Sequence, residues 1–434
     1  MVVDAHTGDV LYERNADIRF VPASNRKLFS TAAGLIDLGP ETRFHTLVLA
    51  ETPISADGSI SGNIYVRGQG ESTLTDVDLD SIANALKAHG LRHVAGDIVG
   101  DGSFFPDDLY GDNWGWNNLT DASAPQISGL EVNRDVILVR VTGAGQLGTA
   151  PVVVLVPSIP YATVINNGAT TDKPALQSNA TVYNALNQID RVWDGNVILV
   201  RGPFREKESV SDRIPLVDPP RYAALEFERA CERQGITVGG VAISGATSPT
   251  ATVVLADHEG PTLSEYVTLT NKPSDNLLAE TLVRQMGYSD SKQAIYGAGH
   301  DAEIRVLRRV GVDTSTMRLR DGSGVSRRDF VTPKNVIQLL KAMTVQPVWP
   351  IWYKSLPIAG VDGSLRNRFK GTSSEGNVHA KTGSLSEVCC LSGYAITKSG
   401  RMLAFTILTN NFLCPTSEVR NLHNKLVETL TDMP

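Results

Sequence analysis

Between about residues 44 and 255 the chain changes texture, and that change decides which architectures are open to it. Short β-type runs at 45–50, 61–67, 136–141, 152–156 and 197–200 alternate there with turns rich in Gly, Pro, Asn and Asp. Two helical patterns interrupt them, at 80–89 and 220–234, the second with Leu225, Phe227 and Cys231 among charged positions. Outside this block the pattern differs. Residues 2–13 alternate around Thr7-Gly8 as a hairpin, and helical patterns follow Asn276, precede the Arg320–Arg327 glycine-rich loop, and resume after Thr332-Pro333. The end alternates again at 378–382, 391–397 and 402–409 before a final helix at 416–430. Terminal strands flanking helices imply an α/β layer interrupted by a mainly β insertion.

Length and charge narrow the class. With 434 residues the prior is about three domains. A hydrophobic fraction of 41%, a charged fraction of 20% and a net charge of −7 describe an ordinary globular protein and argue against nucleic acid as the main partner. No apolar run approaches the roughly 20 residues that cross a bilayer. Met1-Val2-Val3-Asp4 begins abruptly inside a strand pattern, so an upstream segment is expected to have been removed. The four cysteines, Cys231, Cys389, Cys390 and Cys414, show no zinc spacing, and no metal or other cofactor is expected. Adjacent Cys389 and Cys390 point to opposite faces of a strand, so at most one can pair with Cys414; free buried thiols are the equal alternative.

Chemistry is most concentrated at Val21-Pro22-Ala23-Ser24-Asn25-Arg26-Lys27-Leu28. Ser24 precedes an apolar pattern at Leu28, Phe29, Ala32, Leu35 and Ile36 that stops at Gly39-Pro40, which predicts a short amphipathic helix with Lys27 one turn beyond Ser24 on the same face. A serine hydroxyl needs a base to become a nucleophile, and a helix start favours both an alkoxide and a neutral lysine. An ordinary N-cap beside a solvated lysine explains the same four residues, and Ser289-Asp290-Ser291-Lys292 repeats the spacing. The companions decide between these readings.

Two further segments qualify. Ser274 and Asn276 are two apart, so their side chains converge only from a turn ahead of the helix at Leu277, as Pro273 supports. Lys381-Thr382-Gly383 sits on a strand, where it can bind an extended peptide by β-augmentation, with charge and hydroxyl on a terminal carboxylate and Gly383 admitting the substrate backbone. The rivals Ser61-Gly62-Asn63, read as a hairpin, and Lys398-Ser399-Gly400, read as a turn, lack these contexts. Trp114 and Trp116 lie in a Gly/Asn-rich loop and read as packing aromatics before a binding surface.

Ser-x-x-Lys, Ser-x-Asn and Lys-Thr-Gly, in that order, resemble the motif set of penicillin-binding proteins and serine β-lactamases. The chain is similar to the low-molecular-mass class C penicillin-binding proteins, the D-alanyl-D-alanine carboxypeptidase/endopeptidase family of peptidase S13. The likeness extends to residues 3–12, to 321–327 with Thr332-Pro333, and to 360–365. It implies an α/β (α+β) penicillin-binding-protein/serine β-lactamase-like transpeptidase domain, 1–43 plus 256–434, split by β-rich domains at 44–255. The insertion is expected as two nested units, 69–150 inside 44–68 plus 151–255.

The resemblance also assigns roles. Ser24 attacks the penultimate D-alanine carbonyl and Lys27 takes its proton, which asks for a downward lysine shift of about three units, roughly 4 kcal/mol. Ser274 and Asn276 complete the relay, Lys381 and Thr382 bind the terminal carboxylate, and the backbone N–H groups of Ser24 and Ser384 form the oxyanion hole. Arg327 is a candidate contact for a diaminopimelate-type stem peptide, with a surface salt bridge as the equal alternative. Peptidoglycan stem peptides and β-lactams are the implied partners, in an extracytoplasmic compartment, with peripheral membrane association open. The alternatives are a β-lactamase or esterase on this scaffold, disfavoured by Ser-Asp-Asn and the large insertion, and a non-catalytic wall-binding protein, disfavoured by the complete set of reactive residues.

Overall fold

The computed structural model describes residues 1–172 and 188–434. Its organising layer is an antiparallel five-stranded sheet in the order Val378–Leu385, Val388–Ile396, Met402–Asn410, Val2–Asp4, Val10–Tyr12. Val2 pairs with Phe405, so the first strand is held by one some four hundred residues later. Strand alternation divides the side chains between two cores. Leu403, Phe405, Leu391 and Ala395 face the C-terminal helix Thr416–Asp432, whereas Ala404 and Tyr394 face the remaining helices.

Helix Arg26–Leu38 runs through the second core. Every residue from Arg26 to Leu35 is buried, so this is a central helix and not the amphipathic surface helix that its periodicity suggests. Two helices that pack on it, Asn276–Ser291 and Tyr296–Arg309, cover faces that would otherwise be solvated. Among the described residues no helix is long and apolar enough to cross a membrane.

The insertion carries a five-stranded sheet in the order Ala242–Ser244, Ile98–Asp101, Ile64–Gly68, His45–Ala50, Val253–Glu259. Its first three strands are parallel, with helices Asp76–Ala88 and Pro219–Arg233 packed together. Two three-stranded sheets lie between residues 136 and 215, one of them Ser209–Pro215, Val136–Thr142, Val152–Val156. Ile98–Asp101 returns to pair with Ile64–Gly68, and Val253–Glu259 pairs with His45–Ala50, so strand pairing crosses the boundaries expected at 69 and 255. Parallel crossovers and returning strands leave no local periodicity, so strand propensity alone cannot join them.

Candidate active site

Ser24 lies in a single 3-10 turn, Ala23–Asn25, that feeds directly into helix Arg26–Leu38. No side chain caps that turn, so the N-cap reading of Ser24 is not what the structure contains. Lys27 Nζ instead makes three contacts: Ser24 Oγ at 3.1 Å, Asn276 Oδ1 at 2.5 Å and the Ser323 carbonyl at 2.7 Å. Lys381 Nζ donates to Ser274 Oγ at 2.8 Å and to the Thr382 carbonyl at 3.2 Å. Three segments separated by more than a hundred residues each thus meet around two buried amines.

Local backbone places the second segment. Ser274 takes a left-handed φ of 69°, and Asp275 caps helix Asn276–Ser291 by accepting from Leu278 N at 3.1 Å. The turn resolves the two-residue spacing: Ser274 bonds Lys381 while Asn276, the first helical residue, bonds Lys27. The rival Ser289 and Lys292 fall at the far end of that helix, where Lys292 stacks over Tyr288. Ser61-Gly62-Asn63 joins strands of two different sheets and is not a hairpin.

Both lysines are completely buried, which disfavours their charged forms. Burial brings the Lys27 amine down to about 8, against Asp321, Asp275 and Glu280, which pull it up; Arg26 adds to the lowering. Burial, then repulsion from Lys27, holds the Lys381 amine well below the ordinary lysine range. A lysine amine brought close to neutrality beside a hydroxyl is the electrostatic result.

Strand Val378–Leu385 is the sheet edge. Ala380 N donates to the Pro357 carbonyl outside the ladder, at 3.0 Å, so by strand alternation the N–H groups of Thr382 and Ser384 face the same open side. Thr382 Oγ1 pairs with Ser364 Oγ at 2.8 Å, and Ser384 is exposed. Gly383 meets a steric demand within the protein itself. A side chain there would lie 2.6 Å from the Pro22 carbonyl and 3.1 Å from Asn25 Nδ2, so its glycine lets the strand lie against the Ser24 turn. Asn25 Nδ2 also donates to the Lys381 carbonyl at 3.0 Å, joining first and third segments.

Arg327 is exposed and donates to the Ser386 carbonyl, bridging the glycine-rich loop to the turn after the edge strand; it has no ion pair among the described residues. The two tryptophans separate. Trp114 is buried and donates to Asp321 Oδ2 at 2.9 Å, while Trp116 is 83% exposed and packs nothing away. Cys389 approaches His423 and Cys390 approaches the Val21 carbonyl, on opposite faces of their strand, and all four cysteines are free.

Several contributors escaped sequence reasoning. The Ser323 carbonyl, presented by a loop that buried Glu280 holds through the N–H groups of Gly322 and Ser323, grips Lys27 through main chain alone. From the insertion, the Ser123 carbonyl accepts from Asn276 Nδ2 at 2.6 Å, and Arg134 Nε donates to Asp275 at 2.8 Å. The Asp321-Gly322-Ser323-Gly324 motif was the one available signal for the first of these.

Known proteins resemble this chain along its whole length. A family model described as D-Ala-D-Ala carboxypeptidase 3 (S13) matches residues 1–433. A D-alanyl-D-alanine carboxypeptidase of Actinomadura sp. (strain R39) is 36% identical over 423 residues, which cover 96% of this chain and 78% of that one. The crystal structure of penicillin binding protein 4 (dacB) from Haemophilus influenzae superposes with a TM-score of 0.85 at 25% identity, covering 98% of this chain and 95% of that chain. The same Haemophilus protein complexed with a β-lactam has a TM-score of 0.78 at 24% identity, with the same coverage. A match running from the first residue to the penultimate one takes in the insertion and all three motif segments, and on that ground the chain belongs to the D-Ala-D-Ala carboxypeptidase S13 family.

Proposed function

We propose that this protein is a serine D,D-peptidase of peptidoglycan, cleaving D-Ala-D-Ala ends, D-Ala-diaminopimelate cross-links, or both, through an acyl-enzyme on Ser24. The observation that carries the reading is the buried Lys27 Nζ, set between Ser24 Oγ and Asn276 Oδ1. Ser24 Oγ bonds to the penultimate carbonyl carbon as its proton passes to Lys27. Breaking the C–N bond returns that proton to the leaving amine, past Ser274 Oγ, which bonds Lys381 Nζ and not Lys27, and water then releases the acyl group. The outward N–H of Ser384 and that of Ser24 supply the oxyanion hole, where one donor is worth about 2.7–4 kcal/mol. Lys381 and Thr382 hold the terminal carboxylate, and Arg327 takes the acidic end of the stem peptide.

Relatives support the β-lactam side of the reading, since the Haemophilus protein is known complexed with one. Peptidoglycan as substrate places the enzyme outside the cytoplasm. The domain division that goes with it is a catalytic unit of 1–43 plus 260–434 and an insertion with 136–215 nested inside it.

Mass spectrometry of products from a purified cross-linked muropeptide tests the proposal. Loss of D-alanine, or scission of the cross-link, is the expected result; an unchanged substrate mass counts against the assignment. A second measurement follows from the base. With Lys27 near 8, roughly a tenth of it is neutral at pH 7, so the second-order rate of β-lactam acylation should climb with pH through about 8 and then level. A rate independent of pH between 6 and 9 would remove Lys27 from the proton path.

A further inference from the structure

We propose that Arg134, which the inserted block supplies, is a positioning residue: it grips Asp275 and so holds the Ser274–Asn276 turn in reactive register. This rests on the peptidase reading of the site and adds to it a residue outside the three motifs.

Geometry carries the proposal. Arg134 Nε donates to Asp275 Oδ2 at 2.8 Å and its Nη1 to the Ser72 carbonyl at 2.5 Å, so the guanidinium joins two segments of the insertion to the second motif. Asp275 divides its oxygens. Oδ1 caps the helix that starts at Asn276, and Oδ2 meets Arg134. On either side of Asp275 stand the hydroxyl that bonds Lys381 and the amide that bonds Lys27. A shift at Asp275 therefore moves both partners of the two amines.

Backbone strain singles out the same residue. Asn133, Arg134 and Asp135 are three successive non-glycine residues with left-handed φ, at 53°, 60° and 54°. Such conformations are disfavoured and persist where surrounding structure imposes them. Here buried Asp135 accepts from Val132 N at 3.1 Å, Leu216 N donates to the Asp135 carbonyl at 2.7 Å, and Asn133 N donates to the Leu74 carbonyl at 2.9 Å. The turn is built to aim one guanidinium.

Charge gives a readout that simple structural support would not. Asp275, Asp321 and Glu280 are the acids that face Lys27, Glu280 with its carboxyl raised by burial to about 7, and Arg26 and Lys381 are the basic groups, Lys381 with its amine held low; Arg134 partly neutralises Asp275, with Glu131 its other acidic neighbour. Removing Arg134 strengthens the anionic field of Asp275 at Lys27 and favours the ammonium form. Acylation then needs a higher pH.

The test is the second-order acylation rate by a fluorescent penicillin between pH 6 and 10, on the full chain and on Arg134→Met, Arg134→Lys, Asp275→Asn and the double variant R134M/D275N. Arg134→Met should acylate at least about tenfold more slowly at pH 7, with its midpoint raised by roughly half a unit. Asp275→Asn should lower the midpoint, and the double variant should follow Asp275→Asn instead of multiplying the two losses. Arg134→Lys keeps the charge without the fork, so its midpoint should stay with wild type while its plateau falls. A labelled wild type with Arg134→Met unchanged in rate and midpoint overturns this proposal alone. Should Arg134→Met not fold, Asp275→Asn acylating as wild type does the same. An unlabelled wild type overturns the peptidase reading and this proposal with it.

Discussion

Ser24→Ala should take up no fluorescent penicillin under conditions that label the wild type to completion, and its turnover of D,D-peptides should fall by roughly a millionfold, the scale set by removing the nucleophile of another serine peptidase. In the proposed mechanism the hydroxyl is the reacting group, and among the described residues no other hydroxyl contacts Lys27 Nζ. Ser274 Oγ is engaged by Lys381, and the base Lys27 touches Ser24 Oγ, Asn276 and the Ser323 carbonyl but not Ser274. The change deletes one oxygen from a half-buried turn whose backbone is held by Asn25 and by the helix that follows. Its fold should therefore survive, with a melting temperature close to wild type. Labelling of the alanine variant at an undiminished rate would put the nucleophile elsewhere and dismantle the mechanism.

Glu303→Ala should produce the largest loss of stability. Arg26 and Glu303 form a bidentate pair at 2.5 and 2.6 Å, with both side chains fully buried. Removing one partner strands the other charge, and such losses run to about 3–5 kcal/mol. Asp329 also acts on Arg26, but its carboxyl is pushed well up by burial and by the neighbouring Asp321 carboxylate, so it compensates only in part. Arg26 opens the helix two residues after Ser24 and donates through Nε to the Asp321 carbonyl at 2.8 Å. Penicillin labelling should accordingly fall together with the urea midpoint. The double replacement R26M/E303M removes both charges and should recover most of the stability. A urea midpoint of Glu303→Ala equal to wild type would show that the pair is not the anchor of this helix.

How much of this was legible beforehand varies with the range of the interaction. Ser24 and Lys27 are three residues apart at a helix start, so local geometry makes their contact readable from the order of residues, whereas Ser274 and Asn276 reach different lysines, which no local spacing reveals. Strands 45–50 and 152–156 were equally plain from their side chains. By contrast, the nested boundaries depended on which strand returned to which, and Val253–Glu259 carries no mark naming His45–Ala50 as its partner. For Gly383 the order of residues suggests close approach of a substrate backbone, and only the fold reveals that the Ser24 turn also lies against it.

The amino-acid order by itself determined the candidate reactive side chains, the elements that carry them and the interruption of an α/β layer by β-rich sequence. Only tertiary structure decided that Lys27 would be stripped of water, that the main-chain carbonyl of Ser323 would hold it, and that Arg134 and Ser123 would reach in from the insertion. The physical reason is that side-chain identity and near-neighbour periodicity are written in every segment, whereas desolvation and backbone hydrogen bonds between distant segments come into being when the chain closes on itself.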